Sequence, residues 1–281
     1  MPTLTPLEQV VWLLVASVLL FGLLWLAQRK TGDAGIVDVG WSYAVAVGAV
    51  FAAATGEGST HHRLLIATMI GLWGFRLGTH ILTDRVLTGH EDGRYQMARE
   101  RFGDRFQPFM FIFYQFQAIS VPLLCLAPIA AATTSRNGLG PIALAGLGLY
   151  LIAVAGESLA DMQLKRFKKD AANKGKTCRA GLWRYSRHPN YFFEWLLWVS
   201  YALVAAESPH WWLALVPVAT MYLLLTRITG IPPTEAQSVR SRGDDYRAYQ
   251  KETSAFFPWF PRPSALSRTS VPQQPYSEDQ A

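Results

Sequence analysis

Charged side chains are scarce in this sequence of 281 residues. Asp, Glu, Lys and Arg make up 16% of it, and hydrophobic residues make up 51%. A soluble domain usually carries about 25% charged residues. The shortage argues against a water-soluble globular protein and indicates that lipid surrounds much of the chain. Mean hydropathy is only +0.14 because the charges form short blocks between long apolar runs.

The sequence also lacks the patterns typical of several chemistries. Its two cysteines, Cys125 and Cys178, form no CxxC pair, which argues against a disulfide framework or a zinc site. The six histidines form no cluster with metal-ligand spacing. There is no P-loop, nucleophile elbow or dinucleotide-binding glycine motif, and no nucleic-acid motif accompanies the net charge of +6. We therefore predict neither a metal nor a nucleic-acid partner.

Long apolar runs are what the sequence does contain. Several approach the length of about 20 residues that crosses a bilayer. The seven runs are 7–27, 36–55, 64–82, 109–132, 141–160, 191–206 and 211–228. Positive charge follows the first run rather than preceding it, so we predict a retained helix and not a signal peptide. The expected fold is all-α, a polytopic membrane bundle of about seven transmembrane helices. It forms one domain over 1–262, followed by a disordered tail at 263–281 that is rich in Ser, Pro and Gln.

Lysines and arginines are distributed unevenly about these runs. Arg76 and Arg227 lie within runs, only Arg63 and Arg136 lie on one side of them, and all the others lie on the opposite side. The positive-inside rule then predicts an N-terminus outside and a C-terminus in the cytoplasm. The same basic side suits an anionic ligand, and the two interpretations do not exclude each other.

The stretch 181–195, GLWRYSRHPNYFFEW, carries the densest group of polar residues. Pro189 suits the first turn of a helix, and Asn190 and Glu194 then share one helix face. Free N–H groups, the helix dipole and nearby basic side chains favour a phosphate. Those basic side chains are Arg184, Arg187 and His188. Glu194 lies one turn deeper, where it either accepts hydrogen bonds from a ligand or pairs with an arginine to hold helices together.

A second group precedes this stretch, with Glu157, Asp161, Lys165 and Lys168 on one face of a predicted helix. Pairing of Asp161 with Lys165 accounts for the exposed end of that face. It accounts less well for the two acids, which lie nearer the hydrocarbon.

In the N-terminal half, the candidates for catalysis are Asp38, Tyr43, Arg76 and Tyr95. Asp38 is the expected partner of Arg76, which lies within an apolar run. Their pair either holds the bundle together or belongs to a substrate site.

The motif Arg187-His-Pro-Asn-Tyr191, followed by Glu194, resembles the C-terminal signature of the steroid 5-alpha-reductase superfamily. The Asp161-Met-Gln163 stretch, Arg179 and the ending 246–258 are also similar to it. The likeness is to the bacterial DUF1295 membrane proteins and runs from about Asp38 to Pro261.

This resemblance implies a bacterial inner-membrane enzyme with an NADPH pocket that faces the cytoplasm, formed by about 141–262. It also implies reduction of an activated C=C bond in a lipidic substrate, steroid-like or polyprenyl-type. Carried over by position, the cofactor-binding residues are Asp161, Lys168, Arg179, Arg187, His188, Asn190, Tyr191, Glu194, Glu235 and Tyr246. Lys168 stands where the steroid reductases have an arginine, and Glu235 stands near a family histidine. The proton donor does not carry over.

Two other classes remain open. Isoprenylcysteine carboxyl methyltransferases share an Arg-His-Pro-x-Tyr motif and bind S-adenosylmethionine in a similar place. The longer Asn190…Glu194 match favours the reductase. The third class is a non-enzymatic lipid-binding membrane protein, which would bind neither cofactor.

Overall fold

The computed structural model describes residues 3–88 and 93–262, and within them all regular structure is helical. Eleven α-helices occur in this part of the chain: α1 Pro6–Thr31, α2 Ile36–Thr55, α3 Thr60–Ile81, α4 Gly93–Phe102, α5 Phe106–Leu124, α6 Leu126–Ala131, α7 Pro141–Lys169, α8 Pro189–Val204, α9 Leu215–Leu223, α10 Ile231–Arg242 and α11 Asp244–Glu252. The all-α prediction is confirmed for these residues. The predicted tail at 263–281 lies outside them.

Six helical segments of the described chain are long and apolar enough to cross a membrane, which fits an integral membrane protein. They are Pro6–Thr31, Ile36–Thr55, Thr60–Asp84, Tyr95–Ala131, Pro141–Lys169 and Trp211–Arg242. The expected seventh, 191–206, corresponds to α8. Its 16 residues extend about 24 Å at about 1.5 Å per residue. That is shorter than the bilayer core of about 30 Å.

Three predicted runs differ in detail from the helices observed. The run 109–132 is divided at Cys125 into α5 and α6, where Pro128 lacks the N–H that would continue the hydrogen bonding. The run 211–228 begins with a 3₁₀ turn and ends with a π turn at Leu224–Ile228. The run 141–160 is extended in α7, which continues to Lys169.

Local sequence fixes both ends of α1. Thr5 and Glu8 form a capping box, in which each side chain accepts a hydrogen bond from the other residue's backbone. Gly32 ends the helix with φ of 78°, a left-handed conformation that glycine adopts without a steric cost.

The chain divides into two compact units. The first comprises Met1–Ile152 and Leu196–Tyr222, and the second comprises Ala153–Trp195 and Leu223–Ala281. In the first unit α2 and α3 pack closely at Gly74. A Cβ atom there would lie 2.6 Å from the Ser42 carbonyl oxygen and 2.9 Å from the Ala46 Cβ. Small residues of this kind let transmembrane helices approach each other.

A polar group in the first unit surrounds Glu207, which follows α8. Its carboxylate lies 3.2 Å from Arg136 Nη1 and 3.5 Å from Nε2 of the buried His62. The contact with His62 has ion-pair distance but not hydrogen-bond geometry, since both its atoms lack a hydrogen-bond partner. Gly140 leaves room for the carboxylate, because a Cβ there would lie 2.4 Å from it.

Candidate functional site

The second unit contains a hydrogen-bonded network centred on Glu235 of α10. One carboxylate oxygen, Oε1, lies 2.6 Å from Arg187 Nε and 3.2 Å from His188 Nε2, and it accepts from Tyr246 Oη at 3.4 Å. The other oxygen accepts from Gln250 Nε2 at 2.7 Å. Four residues distant in sequence therefore converge on one carboxylate at the start of α8.

Arg187 is largely enclosed by these contacts, with 11% of its side chain exposed. Its Nη1 atom donates to the carbonyls of Gln250, at 2.9 Å, and of Thr253. The guanidinium thus links the residues before α8 to the end of α11. Expected from sequence as a cofactor contact, Arg187 is observed as a link within the protein.

His188 and Tyr191 are also drawn into this network. Their rings stack at 5.3 Å, and Tyr191 Oη lies 3.1 Å from Thr234 Oγ1. Burial lowers the pKa of His188 below its usual 6.5, although the Glu235 carboxylate opposes that shift. Near neutral pH a neutral His188 therefore donates its Nε2–H to Glu235. Burial also raises the pKa of Tyr246 to about 12, so its phenol stays protonated.

The loop before α8 is anchored to the C-terminal segment by buried groups. Ser186 Oγ donates to the Phe256 carbonyl at 2.9 Å, and the Arg187 N–H donates to the Ser254 carbonyl at 2.8 Å. Tyr249 donates its hydroxyl hydrogen to the Trp183 carbonyl. Burial raises the pKa of Tyr249, so the hydroxyl remains a donor.

Arg179 lies elsewhere in the second unit, where it contacts Asp245 of α11. Its Nη2 atom is 3.0 Å from the Asp245 carboxylate and 2.7 Å from that residue's carbonyl oxygen. Burial by itself would raise the pKa of Asp245, but hydrogen bonding with Thr177 and the charge of Arg179 outweigh it and lower the pKa. Arg179 is 40% exposed, so part of its guanidinium remains open to a ligand.

Asp161 and Asn190, both predicted to bind the cofactor, are in contact, with Asn190 Nδ2 3.2 Å from Asp161 Oδ1. Beside them, on α7, a groove of about 380 Å³ is lined by Asp161, Leu164, Lys165, Lys168 and Lys169. The Asp161-Met-Gln163 stretch also supports the loop, because Gln163 Oε1 accepts from the Leu182 N–H at 2.9 Å. Glu194, on the α8 face of Asn190, is partly exposed.

The four candidates for catalysis belong to the first unit. Tyr95 Oη donates to Asp38 Oδ1 at 3.1 Å, and Tyr43 Oη lies 3.0 Å from Thr79 Oγ1. Arg76 occupies an exposed position of α3. A pairing of Arg76 with Asp38 stays a prediction.

Gln250 belongs to the Glu235 network and Asp245 binds Arg179, yet sequence reasoning did not select either residue. Both occupy α11, an amphipathic helix that buries Tyr246 and Tyr249. The spacing of 246, 249 and 250 on one helix face would have grouped Gln250 with the two tyrosines. Nothing in the local sequence indicates that Asp245 binds the Thr177 N–H, at 2.7 Å.

These features fit a polytopic helical membrane protein and include a charged, hydrogen-bonded cluster at the start of α8. The chain belongs to the DUF1295 family, described as proteins of unknown function, whose model matches residues 24–253. It is also similar to the uncharacterised protein C594.04c of Schizosaccharomyces pombe (strain 972), at 28% identity over 278 residues. That likeness covers 87% of this chain and 78% of the yeast protein. No solved structure matches the chain. The expected DUF1295 membership is confirmed, and the wider superfamily link stays a prediction.

Proposed function

We propose that this protein is a membrane reductase that uses NADPH to reduce an activated C=C bond of a lipidic, steroid-like or polyprenyl-type substrate. The supporting observation is the convergence of the C-terminal signature residues within one unit. Asp161 contacts Asn190, and Arg187, His188 and Tyr246 surround Glu235. Asp161 also lines the groove on α7, together with three lysines.

The groove on α7 suits a ligand that carries phosphates and hydroxyl groups. Lys165, Lys168 and Lys169 offer positive charge to phosphates, and the Asp161 carboxylate accepts hydrogen bonds from hydroxyls. NADPH, when bound, would supply the hydride. Asn190 and Glu194 would add hydrogen-bonding groups from α8. This chain's contribution is to bind and orient the cofactor.

The Glu235 network has a different role in this proposal. Arg187 and His188 are enclosed by their contacts with Glu235, so we assign them to positioning the first turn of α8. Tyr246 shares that role, and Arg179, with its exposed guanidinium, could reach a phosphate. The proposal therefore divides the predicted cofactor residues into contacting and positioning groups.

The topology proposed with this function has seven spans, with α8 as the short one, and an active site facing the cytoplasm. It places the N-terminus outside and the C-terminus inside, in a bacterial inner membrane. Its support is the uneven distribution of Lys and Arg. Reporter fusions at the N-terminus and at Lys174 test it, because the two should report opposite sides. Reports from the same side would contradict the seven-span arrangement.

Cofactor titration tests the function. The full chain, purified in detergent, should be stabilised by NADPH and not by S-adenosylmethionine, with a melting shift that follows RT ln(1 + [L]/Kd). Lys168→Gln should weaken NADPH binding by about tenfold to a hundredfold, as expected for a charged contact worth roughly 1.5–3 kcal/mol. Lys174→Gln removes the same charge outside the groove and should bind as wild type does. Stabilisation by S-adenosylmethionine alone would favour a methyltransferase, and no shift with either would favour a lipid-binding protein.

Glu194→Gln separates ligand contact from helix anchoring. If Glu194 accepts hydrogen bonds from the cofactor, the variant should melt near wild type without ligand and gain much less from NADPH. If it anchors a helix, the variant should melt early under both conditions. If NADPH raises the melting temperature of Glu194→Gln as much as that of wild type, the Glu194 charge is not part of the proposed site.

A further inference from the structure

Residues 256–260, near the end of the described chain, form an aromatic segment beside the first two turns of α8. Phe256 and Phe257 contact Phe192 edge-on, at 5.9 and 6.1 Å between ring centroids, and Phe257 contacts Trp195 at 5.9 Å. The segment therefore lies against a helix whose remaining turns are apolar.

Two aromatic side chains of this segment point away from the protein. Trp259 is 72% exposed and Phe260 is 76% exposed, although Phe260 keeps an edge-on contact with Tyr185. Backbone hydrogen bonds hold the segment in place, from the Trp259 N–H to the Tyr185 carbonyl and from the Arg262 N–H to the Glu252 carbonyl. Exposed aromatic residues on a fixed backbone are typical of the membrane–water interface.

A groove of about 410 Å³ opens beside these rings. It is lined by 250–255 and by Arg187, Trp259, Phe260 and Arg262. Lys251 and Arg262 are exposed, and their side chains have no partner among the described residues. Glu252 is the one acid in the lining, and the Arg187 charge is already compensated by Glu235. The open side of the groove is thus cationic and rimmed by apolar rings.

We propose that this groove binds the headgroup of an anionic phospholipid, with Lys251 and Arg262 on the phosphate region and Trp259 and Phe260 against the upper acyl chains. Charge complementarity selects an anionic headgroup, and the exposed rings select a lipid over a free anion. The lipid would hold the C-terminal segment, and with it the loop before α8, against the bilayer surface. This inference stands independently of the proposed reductase activity.

Lipid binding by the full chain tests the proposal. Delipidated protein in detergent is titrated with phosphatidylglycerol, phosphatidylcholine or glycerol phosphate, and retained lipid is measured by native mass spectrometry together with melting temperature. A basic residue near an anionic surface is worth about fivefold in affinity. Wild type should therefore prefer phosphatidylglycerol to phosphatidylcholine by at least about tenfold and bind glycerol phosphate weakly.

Matched variants assign the preference to the groove. Lys251→Gln/Arg262→Gln should reduce the preference to near unity, and Lys251→Arg/Arg262→Lys should retain it. Lys174→Gln/Lys176→Gln removes two exposed charges elsewhere and should leave it unchanged. Trp259→Ala/Phe260→Ala should weaken binding of both lipids. If the double glutamine variant melts early without lipid, Arg262→Gln alone should still lower the preference about fivefold.

Several results would overturn the proposal. Equal binding of both phospholipids by wild type, or an equal loss in the Lys174/Lys176 control, would remove the groove as the source of selectivity. Binding of glycerol phosphate as tight as that of phosphatidylglycerol would indicate a soluble anion. A phosphatidylglycerol preference that appears only in Glu278→Gln/Asp279→Asn would show that the acidic end of the chain occupies the groove instead.

Discussion

The first unit is held together by close contact between apolar helices, and the second by hydrogen bonds to a few charged groups. In the first, Gly74 allows α3 to approach Ser42 and Ala46, and the edge-on rings of Trp73 and Trp198 lie 5.3 Å apart. In the second, the Glu235 carboxylate contacts four polar side chains, those of Arg187, His188, Tyr246 and Gln250.

The two units differ because packed helices and hydrogen-bonded loops require different surroundings. Lipid chains are as apolar as leucine, so helices within a bilayer associate through close packing rather than through the hydrophobic effect. Loops cannot lie in hydrocarbon, because their backbone groups would lack hydrogen-bond partners. The loop before α8 therefore depends on polar partners such as Ser186, Arg187 and Tyr249. Overpacking between helices should therefore disrupt the first unit, and loss of a polar partner should disrupt the second.

Loss of the Glu235 carboxylate should have the largest effect. Glu235→Ala leaves the enclosed Arg187 without its counter-charge, and breaking a buried pair costs about 3–5 kcal/mol. The free energy of unfolding, measured by SDS titration in mixed micelles, should fall by that order. Glu252→Gln, whose side chain has no partner among the described residues, is the matched control and should change little. A loss of less than about 1 kcal/mol in Glu235→Ala would mean that the network behaves as a surface ion pair.

Overpacking at Gly74 should have the next largest effect. Gly74→Val places atoms against the Ser42 carbonyl and Ala46, which costs about 1–3 kcal/mol or more. The control lies in the same helix: a Cβ at Gly71 meets nothing within 4 Å. Gly71→Ala should be neutral or stabilise by up to about 1 kcal/mol through helix propensity. Equal unfolding free energies for the two variants would contradict packing at Gly74 as the basis of the α2–α3 contact.

A smaller loss should follow removal of the Tyr95 hydroxyl. Tyr95→Phe deletes a hydrogen bond to the Asp38 carboxylate, worth about 1.5 kcal/mol at the lower end for charged partners. Tyr43→Phe deletes a hydroxyl–hydroxyl bond and should cost about 0.5–1 kcal/mol. Both values come from thermal melts in detergent. Once a substrate is found, loss of turnover in Tyr95→Phe without loss of stability would favour catalysis over a structural role.

His188 should contribute a pH dependence to the free energy of unfolding. Because its pKa in the folded protein is below 6.5, the unfolded chain takes up a proton first as pH falls. Stability is therefore full above about pH 6.5 and declines below it until the folded pKa is reached. The decline is at most about 1.4 kcal/mol per pH unit. The groups that act on His188 are Glu235, Arg187 and Arg242.

Melting temperatures between pH 7.5 and pH 5 measure that dependence. His188→Gln should flatten the profile, while His61→Gln, at an exposed position, should leave it as in wild type. A profile as steep in His188→Gln as in wild type would assign the pH dependence to other groups.

Sequence patterns located most of the helices because local properties determine them. The apolar runs predicted α1, α2 and α3 within about four residues and also the start of α7, since length and hydropathy do not depend on neighbours. The break at Cys125 was missed although Pro128 is a local signal for it, and the π turn at Leu224–Ile228 was missed because it depends on which backbone groups find partners within the fold. The run 191–206 predicted a short helix of 16 residues, and α8 has that length with both bounds two residues earlier.

The amino-acid sequence alone determined that the chain is helical and apolar enough for a membrane, and it supplied most residues of the candidate site, but not Gln250 or Asp245. It also selected both Asp161 and Asn190 as cofactor-binding residues, and the two are in contact. Only the tertiary structure decided that Arg187 binds Glu235 and two backbone carbonyls. A guanidinium binds whichever acceptors lie nearest, and Glu235 and Thr253 come near it only when residues more than forty positions apart are brought together.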